Sequence, residues 1–161
     1  MNDHNKSITR RVFLSLLGLA VTALPAFSQG LVTFAKSKLV IKSSNGLHNF
    51  IIEMAISNQQ QAQGLMYRRT MPADAGMLFD YGNPQRIRMW MKNTFIPLDM
   101  IFIGQDGKII NIAERTIPHS QSIITSTGRA RAVLEVNGGT ASRLGLKSGD
   151  QVLHEIFGTK R

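Results

Sequence analysis

Apolar and polar side chains alternate along most of this chain with the period of two that marks half-buried strands. In 47–56, Phe50, Ile52, Met54 and Ile56 take one face against Ile51, Glu53 and Ala55. A shorter strand is predicted over 38–42, and the Ser43-Ser44-Asn45-Gly46 turn between them carries Asn-Gly, a strong hairpin signal. Further strands are predicted over 77–81, 86–92, 98–103, 108–114, 130–137 and 151–157, each bounded by Gly, Pro, Asn or Asp. Asp106-Gly107 closes a hairpin between 98–103 and 108–114. One stretch breaks the period: Ser57 or Asn58 caps a helix running through Gln59–Gln63 to about Arg69, ended by Pro72 and the 73–76 loop. A helical turn or two is expected over 139–144. About eight short strands with one or two short helices predict a mainly β fold, a β-sandwich or an open barrel. There is no internal repeat or second domain.

The first residues follow a different rule. Thr9-Arg10-Arg11-Val12-Phe13-Leu14 resembles a twin-arginine export signal, and an apolar run from Val12 to Ala26 follows it. That run falls short of the roughly 20 residues a spanning helix needs, so no permanent membrane span is expected. Small residues at Ala26-Phe27-Ser28 suit a signal peptidase. The division expected is a signal peptide over 1–28, a flexible lead-in over 29–37, and one domain over 38–161. A domain of that size buries about two-thirds of its unfolded surface and needs no covalent staple. The expected location is periplasmic or secreted.

Composition narrows the chemistry. The chain has no cysteine, which excludes disulfides, thiolate nucleophiles and cysteine metal sites. Its net charge of +9 is spread widely, with pairs at Arg68-Arg69, Arg86/Arg88 and Arg129/Arg131. Scattered basic residues make a generic soluble basic surface, and the partner considered for an exported monomer is an anionic small molecule or a glycan rather than nucleic acid.

The richest segment runs from Met89 to Asp99 and holds the single tryptophan. Alternation puts Ile87, Met89 and Met91 on a core face and Arg88, Trp90 and Lys92 on the other. An indole between two cations suits a sugar ring stacked on Trp90, with an anionic substituent on Arg88 or Lys92. The same pattern also arises when cationic stems simply cover the ring. Asn93 opens the polar turn that follows, and Arg68 and Asn137 are supporting candidates. Asp99 and Glu135 are the carboxylates of interest. On neighbouring strands they would form a general acid/base pair for a hydrolase or lyase acting on an envelope polymer. The simpler account is that each pairs with a nearby Arg or caps a turn.

Met66, Met71, Met77, Met89 and Met91 fall in one third of the chain and raise a soft-metal reading, copper held by thioethers. Their spacing lacks a tight repeat, and methionine is a routine core filler. His48, His119 and His154 have no metal-ligand spacing, so no metal site is assigned and the cofactor stays unknown.

Several segments together carry a resemblance. Gln63-Gly64-Leu65-Met66-Tyr67-Arg68-Arg69, Gly76-Met77-Leu78-Phe79, Met89-Trp90-Met91-Lys92-Asn93-Thr94 with Ile96-Pro97-Leu98-Asp99, and Val133-Leu134-Glu135-Val136-Asn137-Gly138-Gly139 resemble the domain of unknown function 192 family. The match covers about residues 38–157 in order. The resemblance implies a compact, mainly β domain and assigns no activity. A dozen residues over 141–152 also resemble the helix-to-strand turn of a PDZ domain, which is shared turn chemistry only.

Overall fold

The structure, a computed structural model, describes residues 32–159, so the expected signal peptide lies outside the described residues. In chain order the elements are β1 (Ala35–Ser43), β2 (Gly46–Ala55), α1 (Asn58–Gln63), β3 (Ala75–Gln85), β4 (Arg88–Met89), β5 (Leu98–Ile103), β6 (Ile109–Thr116), β7 (Ile124–Thr125), β8 (Ala130–Asn137), α2 (Thr140–Leu144) and β9 (Gln151–Leu153). A 3-10 turn over Glu155–Phe157 follows, where a continued strand was predicted.

Seven strands form one sheet in the order β6-β5-β8-β3-β2-β1-β9, while β4 and β7 make a separate two-stranded ribbon. The pairing is antiparallel except between β2 and β3, which run parallel. That one parallel pair needs a crossover, and the crossover carries α1 and the loop to Ala75. The sheet curls into a half-barrel whose two ends meet at a Lys108–Gln151 bridge. There the Ile109 N–H donates to the Asp150 carbonyl at 2.9 Å, and the Val152 N–H donates to the Gly107 carbonyl at 2.8 Å. Of the two architectures predicted, the open barrel is the one formed.

Alternation gives the sheet two apolar faces. Leu39, Ile41, Ile52, Leu78, Ile101 and Leu134 fill the concave core, which Val152 and Phe157 help to close. Met77, Phe79, Met100, Phe102 and Val133 point the other way and are covered by Ile87, Met89 and Met91 and by Leu65. Each such side chain contributes about 1.5–3 kcal/mol when fully buried. The methionines at 77, 89, 91 and 100 are therefore core packing first.

Element limits differ from expectation for local reasons. The lead-in ends at Phe34, because Ala35–Ser37 already pair with Ile52–Met54 and belong to β1. The helix expected to reach Arg69 stops at Gly64, whose φ of 49° is a conformation glycine adopts readily. The side of Gly64 where a Cβ would stand is 3.0 Å from the Phe79 ring, so the chain must turn there. The strand expected over 86–92 shrinks to Arg88–Met89. Beyond it the Met91 N–H turns to the Ser120 carbonyl, and the Thr94 N–H bonds back to Met91.

Candidate functional site

Four segments converge on a narrow cleft of about 90 Å³ on the convex side of the sheet. One rim is α1 and its tail. A capping box starts this helix: Ser57 Oγ accepts from the Gln60 N–H at 3.2 Å, and Gln60 Oε1 accepts from the Ser57 N–H at 2.9 Å. Gln61 Nε2 donates to the Asp80 carbonyl at 2.8 Å and clamps the helix to β3. The opposite rim is β4 and its extension, which present Arg88 and Trp90. The ribbon places them by pairing Arg88 with Thr125 and Met89 with Ile124, and the Ile87 N–H donates to buried Ser126 Oγ at 3.0 Å. Phe79, Tyr81 and Glu135 form the floor.

Glu135 is the unusual member. It is 4 % exposed and sits opposite Met77 on one side and Met100 on the other. Among the described residues its carboxyl has no hydrogen-bond partner, yet no polar atom there is both sealed from solvent and unsatisfied. Its oxygens therefore reach the cleft. Burial pushes the carboxyl up to about 8, so the group carries its proton at neutral pH. A neutral carboxyl both donates and accepts. Beside it, the Tyr81 hydroxyl donates to Met89 Sδ at 3.4 Å and is pushed up to about 12 by burial and, secondarily, by Glu135.

Trp90 is 45 % exposed, and Lys92 Nζ lies 5.2 Å from its ring centre. The alternation read from the sequence holds: Ile87, Met89 and Met91 are buried, while Arg88, Trp90 and Lys92 are exposed. Asn93, at φ 56°, supports the loop from behind. Its Nδ2 donates to the Tyr67 hydroxyl at 2.9 Å and its carbonyl accepts from the Tyr67 N–H at 2.8 Å.

The other candidates lie elsewhere. Asp99 and Glu135 do sit on adjacent strands, but Asp99 is paired with Val136 and Glu135 with Met100. That one-residue offset sends the two acids to opposite faces, so the expected acid/base pair does not form. Asp99 is instead structural: Oδ1 accepts from the N–H groups of Arg115 at 2.7 Å and Gly139 at 2.9 Å, and Oδ2 from Ala141 at 2.7 Å. Asn137 shares the face of Glu135, yet it holds the Met71 and Pro72 carbonyls at 3.0 and 3.1 Å. Arg68 is ion-paired with Glu53 and lines a separate cavity of about 290 Å³ with Lys36 and Asp74. The basic residues are thus dispersed, with Arg131 bound to Asp80 at 3.1 Å.

Of the five clustered methionines, Met66 and Met89 reach the cleft, and both sulfurs already accept hydrogen bonds. Met91 Sδ accepts from Thr116 in the core, and Met71 lines the Arg68 cavity. Three sulfurs do not converge. Among the described residues no group of three or more His, Asp or Glu side chains is placed to hold a metal ion. His48 and His154 bond instead to Ser43 and Ser37, each at 2.9 Å. No helix among the described residues is long and apolar enough to cross a membrane.

Sequence reasoning missed Gln61, Gln63, Met66, Tyr81 and Thr94 as cleft residues. Tyr81 was within reach, since it continues the Met77–Phe79 alternation towards the face of Glu135.

Comparison with known proteins places this geometry in a family. No match was found among curated proteins. A solved structure from Sinorhizobium meliloti 1021, of a provisionally named transcription regulator, is similar. It has 45% identity and a TM-score of 0.76 over 79% of this chain and 99% of that one. A protein of unknown function from Novosphingobium aromaticivorans DSM 12444 has 38% identity and a TM-score of 0.75, covering 83% and 94%. The family model described as an uncharacterized ACR matches residues 39–154, which contain every cleft residue named above, and the chain belongs to this family, domain of unknown function 192 (DUF192).

Proposed function

We propose that the domain is a binding protein for a small polar-ring ligand, an anionic small molecule or a glycan, which seats one edge in the Glu135 cleft. The observation that carries this reading is the unpartnered Glu135 carboxyl opening on a cleft rimmed by Trp90 and Arg88. A protonated carboxyl offers a hydroxyl-bearing ring both a donor and an acceptor. The indole offers an apolar face, and Arg88 and Lys92 offer charge for an acidic substituent. Hydrolysis by paired carboxylates is the weaker reading, because Glu135 is the one carboxylate among the described residues lining the cleft. The thioether copper reading is weaker still, with two sulfurs at the site and both engaged.

Because Trp90 is the single tryptophan, its emission reports the site directly. Titration with acidic monosaccharides such as galacturonate is expected to shift that emission. Calorimetry on Trp90→Ala should show affinity reduced about tenfold or more, as for other exposed aromatic anchors, at nearly unchanged Tm. Equal affinity of the variant, or no ligand retained by native mass spectrometry of protein from the periplasm together with no response to the sugars, overturns the reading.

We also propose export by the twin-arginine route to the cell envelope, resting on the sequence of residues 9–28. Lysine at both Arg10 and Arg11 is expected to strand the precursor in the cytoplasm, read by fractionation and immunoblot. Normal export of that variant removes the proposal.

A further inference from the structure

We infer that the ligand is an oligomeric acidic glycan, running out of the cleft across Trp90 and along the row Tyr67–Phe95–His119, in which half-buried Phe95 lies between two exposed rings. This rests on the binding reading proposed above and names its substrate class. The row is continuous: the Tyr67 and Phe95 ring centres are 6.2 Å apart, and those of Phe95 and His119 are 5.0 Å apart. Its three residues come from three segments tied to the loop that follows Trp90, since Asn93 bonds both backbone and side chain of Tyr67 and the His119 N–H donates to the Thr94 carbonyl at 3.1 Å.

The unit on this surface repeats. Lys92 stands over Trp90 at 5.2 Å, and Arg69 stands over Phe95 at 5.4 Å. Two successive ring-plus-cation units match a polymer whose repeat is a ring bearing an anion. Both cations are exposed, and neither forms an ion pair among the described residues, in contrast to Arg68 and Arg131. The surface therefore holds uncompensated positive charge for an acidic chain.

Backbone conformation points to the same place. Among the described residues four non-glycine residues have positive φ, and three of them, Tyr67 (65°), Asn93 (56°) and His119 (61°), hold this row. Left-handed conformations are costly for L residues and concentrate at functional sites. Tyr67, an aromatic residue, is 63 % exposed in that conformation. Core packing explains neither its exposure nor its backbone.

Single-stranded nucleic acid is the other polymer of rings and anions. The hydroxyl-matching groups of the cleft, Glu135 and the amide of Gln63, favour a sugar chain.

Size-defined oligogalacturonates of one to six sugars provide the test, with Trp90 emission and calorimetry as readouts. Affinity is expected to rise at least tenfold from monomer to tetramer and to fall with added salt. Arg69→Gln and Tyr67→Asn, the latter keeping a residue type that tolerates positive φ, should each remove most of that gain. Arg69→Gln should leave monosaccharide affinity within about twofold, since Arg69 does not line the cleft. Monomer binding with no gain in length overturns this inference and leaves the binding reading standing. Absence of both monomer and oligomer binding overturns this inference, and with no ligand retained in native mass spectrometry it removes the binding reading as well. Tighter binding of oligo-dT than of the hexamer assigns the row to nucleic acid instead.

Discussion

Replacing Asp99 with alanine is expected to destabilise the folded domain by about 3–6 kcal/mol, the largest single effect this fold offers. Asp99 is fully buried, and its two oxygens satisfy three backbone N–H groups, from Arg115, Gly139 and Ala141. These contacts join three places. Arg115, at φ 47°, sits where the β5–β6 pairing slips register between Leu98 and Met100. Gly139, at φ 89°, precedes α2 and has no side-chain cap of its own. Asp99 is therefore the remote cap of α2 as well as the staple of the bulge. Alanine would strand three donors, each costing about 1–3 kcal/mol when buried and unpaired. Asparagine keeps one acceptor but turns an amide donor towards a backbone N–H, so it should recover only part of the loss. Thermal unfolding followed by circular dichroism decides the matter. A Tm lowered by about 10 °C or more is expected for Asp99→Ala. A fall of under about 3 °C would show that water replaces the carboxylate without penalty.

Glu135→Gln is expected to act in the opposite direction and only above a certain pH. The unfolded chain releases this proton near the ordinary carboxylate value of 4.5, and the folded domain holds it up to about 8. Folding thus takes up a proton between those values. The stability contributed by the protonated group is intact below about pH 4.5, declines as pH rises, and is gone once pH passes 8. At about 1.4 kcal/mol per unit the span amounts to on the order of 3–5 kcal/mol. Glutamine cannot ionise, so its variant escapes this loss. Denaturant unfolding of both proteins at pH 5 and pH 9 isolates the effect, because every other titrating group is common to the two. Wild type should lose about 3–5 kcal/mol relative to the variant on going to pH 9. Parallel profiles would mean that the carboxyl is ionised and solvated through the cleft.

Much of the architecture was legible from the residues. Gly46 and Gly107, at φ 124° and 77°, mark the ends of two hairpin turns, and the alternation from Ile87 to Lys92 assigns faces even though little of that stretch is hydrogen-bonded as a strand. Open barrel and sandwich could not be told apart, because a period of two gives inward and outward faces in both. The candidate site was half legible. Trp90, Arg88 and Glu135 were named from their surroundings in the sequence. The false partnership of Asp99 with Glu135 turned on a one-residue register between β5 and β8, which no local pattern encodes. Tyr67 and His119 were hidden for a different reason. Their positive φ comes from the loops that grip Phe95, and neither residue type announces such a conformation.

The junction between Gly107–Ile109 and Asp150–Val152 has a consequence for how this protein meets other molecules. A strand at a sheet margin normally offers a row of free N–H and C=O groups that a second chain can copy, the common route to aggregation and to peptide capture by strand addition. Here the two margins spend those groups on each other where they meet, and β9 is only three residues long. A stranger chain finds no long template along that seam. The binding proposed above therefore relies on side chains of the convex face, which suits a ligand that has no peptide backbone to offer.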